Sequence, residues 1–333
     1  MVQITPKQIS SFIEPFRVEP GRRVRLPKDF DPSGTRQQSK SEAKAILASG
    51  VEFLADLQTR LAAQDTYGLV VVLQAMDAAG KDGTIRHVMS GVNPQGVQVS
   101  SFKVPSSEDL DHDYLWRYAK KLPERGNIGI FNRSYYEEVL VVRVHPQILA
   151  GQKIPPKLKG AGIWERRFRE INDWERYLSD QGFMFVKLFL NVSKEEQRRR
   201  VLDRIDEAEK NWKFSANDSK ERAFWDDYQK AFSEVLSHTS TEWAPWYVVP
   251  ADDKPFARVA AAAIIADALI KIDPKFPKVP QEVQAELQAQ KIALEAEAPT
   301  GASPDPNEVA LAEKAAKKSG KGKHGKAKKG GAA

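Results

Sequence analysis

Cysteine is absent from the 333 residues of the sequence. Its absence excludes disulfide bonds, zinc–thiolate sites and catalysis by a thiol. The first ten residues lack a basic segment followed by an apolar run, so we expect no signal peptide. No stretch approaches the roughly 18 consecutive apolar residues that a membrane-spanning helix requires. These absences predict a soluble protein of the cytoplasm that has no membrane partner.

Histidine is scarce, and its five copies have neither the spacing of metal ligands nor a place in a legible Ser/His/Asp triad. We expect each of them to be structural or exposed: His87, His112, His145, His238 and His324. Acidic residues are absent from 314–333, and the eight lysines of this segment contribute more positive charge than the formal net charge of the whole chain, +6. The remainder of the chain is slightly acidic, which argues against a general nucleic-acid-binding surface.

Composition divides the chain into three parts. Residues 1–40 are rich in Pro, Gly and Arg and are predicted to form an arm that lies over the body. Residues 41–277 carry the periodic apolar patterns of a folded domain. In residues 278–333 we expect a solvated helix over 281–297 and then a disordered tail rich in Ala, Lys and Gly. The lysines of this tail favour either contact with polyanions or solubility alone.

Strand-like and helix-like segments alternate within residues 41–277. Five strands are predicted, at 69–74, 97–102, 128–131, 184–190 and 246–249. Helices are predicted at 41–64, 81–90, 108–121, 134–142, 163–181, 194–205, 218–237 and 256–272. This order predicts an α/β fold, a three-layer sandwich with a central parallel sheet of about five strands and helices on both faces.

A phosphate-binding loop is predicted where the first strand ends. The apolar run 69–73 leads through small residues into Gly80-Lys81 and a helical segment, so free amides and the lysine would point at one phosphate. The usual P-loop has Gly five residues before the Gly-Lys pair and Ser or Thr after it, whereas this chain has Ala75 and Asp82. A surface lysine at a helix start is the alternative for Lys81. The phosphate-binding residues expected here are Gly80, Lys81, Asp82, Gly83 and Thr84.

Asp77 is the informative departure inside this loop. A carboxylate beside a phosphate site is useful if it binds Mg²⁺ or aligns a phosphate acceptor. The alternative is a cap for the next helix or a turn contact, although Asp77 lies rather far before that helix for an N-cap.

A second set of polar residues follows the third predicted strand, 128–131. Asn132 and Arg133 stand at its end, where the strand ends of an open α/β sheet converge on the ligand. An acid would be the expected Mg²⁺ contact at position 132, so we expect Glu137 or Glu138 to supply the missing charge. Arg133 would neutralise a phosphoryl group during its transfer. The alternatives are a structural ion pair for Arg133 and a solvated helix face for Glu138.

The helix predicted at 194–205 is strongly basic and is followed by a Trp-Lys turn that contains Lys213. Arg200 and Arg204 stand four residues apart and therefore share a face of this helix. Such a helix is typical of a kinase lid, placed here at about 194–222, which closes over phosphates and excludes water. A solvated charged face is the alternative.

Together these motifs resemble those of the polyphosphate kinase 2 family, and specifically of its class III branch. The resemblance spans about residues 16–272 and depends on the order and spacing of several segments. They are Phe-Arg-Val-Glu-Pro (16–20), Phe-Asp-Pro (30–32), Leu-Gln-Ala-Met-Asp-Ala-Ala-Gly-Lys-Asp-Gly-Thr-Ile (73–85), Gly-Val-Asn-Pro-Gln-Gly (91–96), Asp-Tyr-Leu-Trp-Arg (113–117), Phe-Asn-Arg-Ser-Tyr-Tyr-Glu-Glu-Val-Leu (131–140), Trp-Lys-Phe (212–214) and Thr-Ser-Thr-Glu-Trp-Ala-Pro-Trp-Tyr-Val (239–248).

The resemblance implies a P-loop kinase fold with a helical lid. It also implies phosphoryl transfer from inorganic polyphosphate to AMP and ADP, giving ADP and ATP, with Mg²⁺ (Mn²⁺ as an alternative) and within a homo-oligomer. By resemblance, Asp77 serves the metal and the acceptor phosphate, and Lys81 and Arg133 are catalytic. The residues that resemble the phosphate ligands of the lid are Arg200, Arg204 and Lys213.

The branch assignment depends on the residues around Arg133. Most other branches have Asp where this chain has Asn132, and class III has an acidic pair, here Glu137-Glu138, after the arginine. Asp77 and Glu137 are therefore the expected metal ligands. Class III is associated with phosphorylation of both AMP and ADP.

Other functions fit parts of the sequence. A member of the same family that accepts only ADP and an ATP-dependent nucleoside monophosphate kinase share the predicted fold, and the choice of acceptor and donor separates them. A P-loop ATPase or GTPase would hydrolyse nucleotide without an acceptor. A tether would place the function in the lysine tail, through binding to polyphosphate, nucleic acid or a membrane surface.

Overall fold

The computed structural model describes residues 5–34, 40–213 and 220–297, with side chains throughout except at Lys40, Ser41 and Lys213. Met1–Pro277 form one compact unit and Lys278–Ala333 form a second. In the second unit the solvated helix predicted at 281–297 is present as Gln281–Ala296. The tail predicted to be disordered lies outside the described residues. None of the described helices is both long and apolar enough to cross a membrane.

A five-stranded sheet lies at the centre of the first unit. Its strands pair in the order β2-β3-β1-β4-β5, and every pair is parallel. All five predicted strands are confirmed. Four of them are largely buried, and strands covered on both faces appear in a sequence as near-continuous apolar runs, whereas the edge strand at 97–101 is mostly exposed. The strands are β1 (Gly68–Ala75), β2 (Val97–Ser101), β3 (Ile128–Asn132), β4 (Phe183–Asn191) and β5 (Trp246–Pro250).

Helices flank this sheet. The α-helices are α1 (Pro6–Ile13), α2 (Lys40–Gln64), α3 (Lys81–Val88), α4 (Ser107–Asp111), α5 (Trp116–Ala119), α6 (Val141–Val144), α7 (Pro146–Gly151), α8 (Ile163–Asp180), α9 (Lys194–Asp206), α10 (Trp225–Thr239), α11 (Lys254–Ile272) and, in the second unit, α12 (Gln281–Ala296). Short 3₁₀ helices occur at Glu14–Phe16, Pro94–Gly96, Tyr135–Val139, Pro156–Leu158, Ala208–Lys213 and Arg222–Phe224.

The strand order determines where a ligand can bind. α11 packs on β1, β4 and β5 and contacts α1, α2 and α3, whereas α8 packs on β4 and α10. β1 is flanked by β3 on one side and β4 on the other. The connection from β1 to β2 runs to one side of β1, and the later connection from β3 to β4 crosses to the other side, so the direction of the connections reverses next to β1. In open α/β sheets a crevice forms at such a position, outside the carboxyl ends of the strands.

The arm predicted at residues 1–40 contains a helix that the prediction missed. α1 begins with a capping box, in which the Thr5 hydroxyl accepts from the amide of Gln8 at 3.3 Å. Further along, the Val18 amide donates to the Trp246 carbonyl at 2.9 Å. These contacts join described residues of the arm to the body.

Three predicted helices differ from the structure. Segment 108–121 forms two helices, α4 and α5, because Ser106 caps the first and Asp113 starts a new turn by accepting from the Leu115 amide at 2.9 Å. Segment 134–142 forms a 3₁₀ helix and then α6. The helix predicted at 218–237 becomes α10 only after a 3₁₀ turn, and its first two residues lie outside the described ranges.

Candidate active site

The predicted phosphate-binding loop joins β1 to α3. Ala78 and Gly80 have positive φ angles of 61° and 106°, which turn the chain back into the helix. A side chain at φ 106° would strain the backbone, so glycine is required where α3 begins. The Thr84 amide donates to the Gly80 carbonyl at 3.0 Å, and no described residue accepts from the amides of 81–83. The loop thus presents free N–H groups to an anion.

Lys81 lies among the other charged residues predicted for the site. It is half-buried, and its Nζ donates to the Ala75 carbonyl at 3.0 Å. Burial lowers the pKa of Lys81 and Arg133 lowers it further, whereas Asp77 and Glu137 oppose the shift. The lysine is therefore not the isolated surface residue that was the alternative.

Arg133 follows β3 directly and faces the loop. Its backbone has a φ of 65°, and its amide donates to the Leu73 carbonyl of β1 at 3.0 Å. Its Nη2 lies 3.1 Å from Oδ1 of Asp77, and both side chains are partly exposed. Burial opposes the charge of Arg133, but Glu137 and Asp77 outweigh it and raise the pKa of the guanidinium. The ion pair that was the alternative role for Arg133 is present. Because the Arg133 side chain is also partly exposed, a phosphate can still reach it.

The two glutamates after Arg133 lie in different environments. Glu138 is 5% exposed, its carboxylate lies 3.2 Å from Arg167, and it accepts from the Gln152 amide at 2.7 Å. Glu138 is thus a buried structural acid, not a solvated one. Glu137 is half-buried, and burial raises the pKa of its carboxyl although Arg133 opposes the shift. Glu137 is the member of the pair that faces the loop.

Asn132 and Asp82, which both depart from the usual motifs, are hydrogen-bonded to each other. Nδ2 of Asn132 donates to Oδ1 of Asp82 at 2.7 Å. Asp82 occupies the position where P-loops have Ser or Thr. An aspartate at 132 would place two carboxylates against one another, whereas the amide supplies a donor.

A cavity of about 740 Å³ opens beside the loop. Asp77, Arg133 and Glu137 line one part of it. A lining that combines a few charged groups with apolar side chains is typical of sites for small molecules. The apolar wall consists of Val104, Leu140, Val141, Ile148, Phe224 and Phe232.

A polar cluster in the cavity wall was missed by the sequence analysis. His145 Nε2 lies 2.9 Å from a carboxylate oxygen of Glu221, and the Tyr228 hydroxyl donates to the same oxygen at 2.8 Å. The three residues come from separate segments with no motif in common, so only the fold could bring them together. His145 is mostly buried, in agreement with a structural role.

The predicted lid residues do not converge on the loop as a group. Arg200 is 4% exposed, and its guanidinium donates to one carboxylate and four backbone carbonyls. Arg204 is half-buried one turn further along α9, and the side chain of Lys213 lies outside the described ones. Phosphate binding by these residues therefore stays a prediction. The acceptors of Arg200 are the Glu196 carboxylate and the carbonyls of Ala78, Ala79, Ala251 and Asp252.

Three cations lie on two helices: Arg86 on α3, and Lys254 and Arg258, four residues apart, on α11. Burial and Arg200 lower the pKa of Lys254, although Glu196 opposes the shift. Burial and Arg86 lower the pKa of Arg258. Within the described ranges none of the three forms an ion pair. Arg86 repels Arg258, and Arg200 and Arg199 repel Lys254. This excess of positive charge suits a polyanion.

Comparison with known proteins agrees with this geometry. A family model described as Polyphosphate kinase 2 (PPK2) matches residues 37–277. An ADP-polyphosphate phosphotransferase of Rhodopseudomonas palustris is 50% identical over 276 residues, covering 82% of this chain and 94% of the relative. An AMP/ADP-polyphosphate phosphotransferase of Meiothermus ruber is 42% identical over 285 residues, covering 84% of this chain and 99% of the relative. The crystal structure of polyphosphate kinase 2 from Arthrobacter aurescens TC1 has a TM-score of 0.76 and 40% identity, covering 89% of this chain and 98% of that one.

Proposed function

The chain belongs to the polyphosphate kinase 2 family, and on that premise we propose that it phosphorylates both AMP and ADP from inorganic polyphosphate. Membership of the family makes it a polyphosphate-dependent nucleotide phosphotransferase, and the proposal concerns its use of both acceptors. One observation carries the proposal: Asp77, Lys81, Arg133 and Glu137 meet beside a single cavity at the ends of β1 and β3.

The acceptor nucleotide occupies the cavity in this proposal. Its base and ribose lie against the apolar wall, where Phe224 supports an aromatic ring. Its phosphates reach Arg133 and the amides at the start of α3. AMP and ADP differ by one phosphate at this charged end, so a single pocket for the nucleoside serves both acceptors.

Catalysis in this account is positioning plus electrostatic stabilisation. Lys81 and Arg133 place two cations where negative charge spreads over the phosphoryl group in transfer. The burial that lowers the pKa of Lys81 also strengthens its attraction to phosphate. Transfer is in line and requires no covalent intermediate on the enzyme.

The carboxylates fit a divalent metal of the Mg²⁺ type. In the described ranges no three His, Asp or Glu residues form a ready-made metal cluster. Mg²⁺ is commonly held by one or two carboxylates together with substrate phosphates, and Asp77 and Glu137 supply that number. When bound, the metal would neutralise charge between donor and acceptor phosphates.

In this proposal the donor polymer binds along Arg86 of α3 and Lys254 and Arg258 of α11. Among the described residues none of these cations forms an ion pair, although Glu196 attracts Lys254 from a greater distance. Their charge is therefore largely left for the phosphates of the polymer. Each phosphate that they neutralise releases counterions, so donor binding weakens as the salt concentration rises. We also propose a homo-oligomeric state and a cytoplasmic location.

An assay of donor and acceptor choice tests the proposal. The purified protein is incubated with Mg²⁺ and long-chain polyphosphate, with AMP or ADP and without ATP, and nucleotides are separated by chromatography. We expect ATP from ADP, and ADP followed by ATP from AMP. Use of ADP alone would keep the family activity and overturn the double acceptor. Phosphorylation of AMP only when ATP is added would favour a nucleoside monophosphate kinase.

A further inference from the structure

One face of α9 holds the carbonyl groups of the phosphate loop. The Gln197 side-chain amide donates to the Asp77 carbonyl at 3.0 Å. Arg200 donates to the next two carbonyls, those of Ala78 and Ala79, at 3.2 and 2.8 Å. Ala78 has a positive φ, a conformation that persists only when its surroundings enforce it. The loop conformation therefore depends on α9 as well as on its own sequence.

Gln197 is in turn oriented by a residue beyond α9. Nη1 of Arg222 donates to Oε1 of Gln197 at 2.6 Å and to the Lys194 carbonyl at 3.1 Å. Since a guanidinium only donates, it selects the oxygen of the Gln197 amide and leaves the NH₂ group for the Asp77 carbonyl. Gln197 is 2% exposed, so water does not compete for these two contacts.

We propose that Gln197 is a positioning residue for phosphoryl transfer, which links Arg222 to the backbone of Asp77. The inference rests on the proposed function, in which Asp77 serves the metal and the acceptor. The hydrogen bond restrains the backbone that carries the Asp77 side chain, and Arg133, 3.1 Å from Oδ1, orients the carboxylate on that backbone. Misplacement of a catalytic group by about 1 Å costs on the order of 10²-fold in rate.

Two substitutions at the same position separate this link from a packing role. Gln197→Met keeps the volume and removes both hydrogen bonds. Gln197→Glu keeps an acceptor for Arg222 but has no donor for the Asp77 carbonyl. We expect both variants to lower kcat at least about tenfold. The half-saturating Mg²⁺ concentration rises, while KM for ADP stays within about twofold because Gln197 donates to the loop backbone and not to the nucleoside.

The matched control is Gln229→Met. Gln229 is also a buried glutamine, on α10, and its side-chain nitrogen has no hydrogen-bond partner among the described residues. We expect this variant to retain kcat within about twofold, since no transfer step depends on it. Thermal unfolding of each variant shows whether a loss of rate reflects unfolding.

A double-mutant cycle with Arg222→Met completes the test, because residues that act through one another are not additive. We expect Arg222→Met to lower kcat, and Gln197→Met/Arg222→Met to be no slower than Gln197→Met. Additive losses, full activity of Gln197→Glu or full activity of Gln197→Met would overturn the link. Failure of the wild-type protein to use polyphosphate would refute the proposed function instead, and an active Asp77→Asn variant would refute the role of Asp77.

Discussion

The adjacent residues Glu137 and Glu138 allow a direct separation of catalysis from stability, since the same substitution can be made at both. Glu138→Gln removes the carboxylate that pairs with Arg167 at 3.2 Å, while Arg167, 3% exposed, keeps two neutral acceptors, the Glu138 carbonyl and the Gln152 side chain. Breaking a buried ion pair by removing one partner costs about 3–5 kcal/mol. For a domain of this size that corresponds to a fall in Tm of about 6–20 °C. At a temperature where the variant is folded, we expect kcat to stay within about threefold of wild type.

Glu137→Gln should have the opposite effect. Burial raises the pKa of Glu137, so its ionised form is disfavoured in the folded state at pH 7, and a neutral amide removes that cost. We expect an unchanged or higher Tm, together with a loss of kcat on the order of 10²-fold. Tm is measured by calorimetry and kcat by ATP formation from ADP and polyphosphate. A stable and active Glu137→Gln variant, or an inactive but stable Glu138→Gln variant, would refute the assignment of the two environments.

Further expected outcomes concern a buried lysine, the donor surface and the tail. Lys187 and Glu175 are both fully buried, with Nζ 2.7 Å from the carboxylate. Lys187→Met should therefore lower the free energy of unfolding, measured in urea titrations, by about 3–5 kcal/mol. The double variant Lys187→Met/Glu175→Gln should lose less than the sum of the two single changes. Burial lowers the pKa of Lys187 to about 8, so the unfolded state binds more protons between about pH 8 and 10.5, and the stability of wild type relative to Lys187→Met should rise with pH across that range. Lys254→Gln/Arg258→Gln should raise KM for long-chain polyphosphate severalfold and leave KM for ADP unchanged. The KM for polyphosphate should also depend less on salt concentration, and an unaltered salt dependence would contradict donor binding at these residues. Deletion of residues 314–333 should leave kcat unchanged, because the proposed catalytic site lies at the ends of β1 and β3. Loss of transfer activity would contradict this placement of the site.

The strands and the loop could be predicted because their signals are local. Each buried parallel strand is a short apolar run, and the small residues before Gly80-Lys81 indicate a tight turn wherever they occur. The convergence of Asp77 with Arg133 also followed from sequence, since the carboxyl ends of parallel strands share one edge of a sheet. These inferences need only the strand order and its direction.

The remaining contacts depend on directions that periodicity does not provide. The spacing of Arg200 and Arg204 placed them on one helix face, but only the fold shows that Arg200 turns to loop carbonyls. Glu137 and Glu138 are neighbours in sequence, and the 3₁₀ geometry of their segment sends them to different environments. Lys254 and Arg86 are far apart along the chain, so no motif could have joined them.

The most direct test of the central claim follows the transferred group itself. Polyphosphate labelled with ³²P is incubated with unlabelled ADP, Mg²⁺ and the protein, and ATP is isolated and its terminal phosphate is removed and counted. We predict that label appears in the terminal phosphate at the rate of ATP formation with the wild-type protein, and at least about 10²-fold more slowly with Asp77→Asn. Unlabelled ATP, or equal labelling by Asp77→Asn, would contradict transfer from polyphosphate at this site.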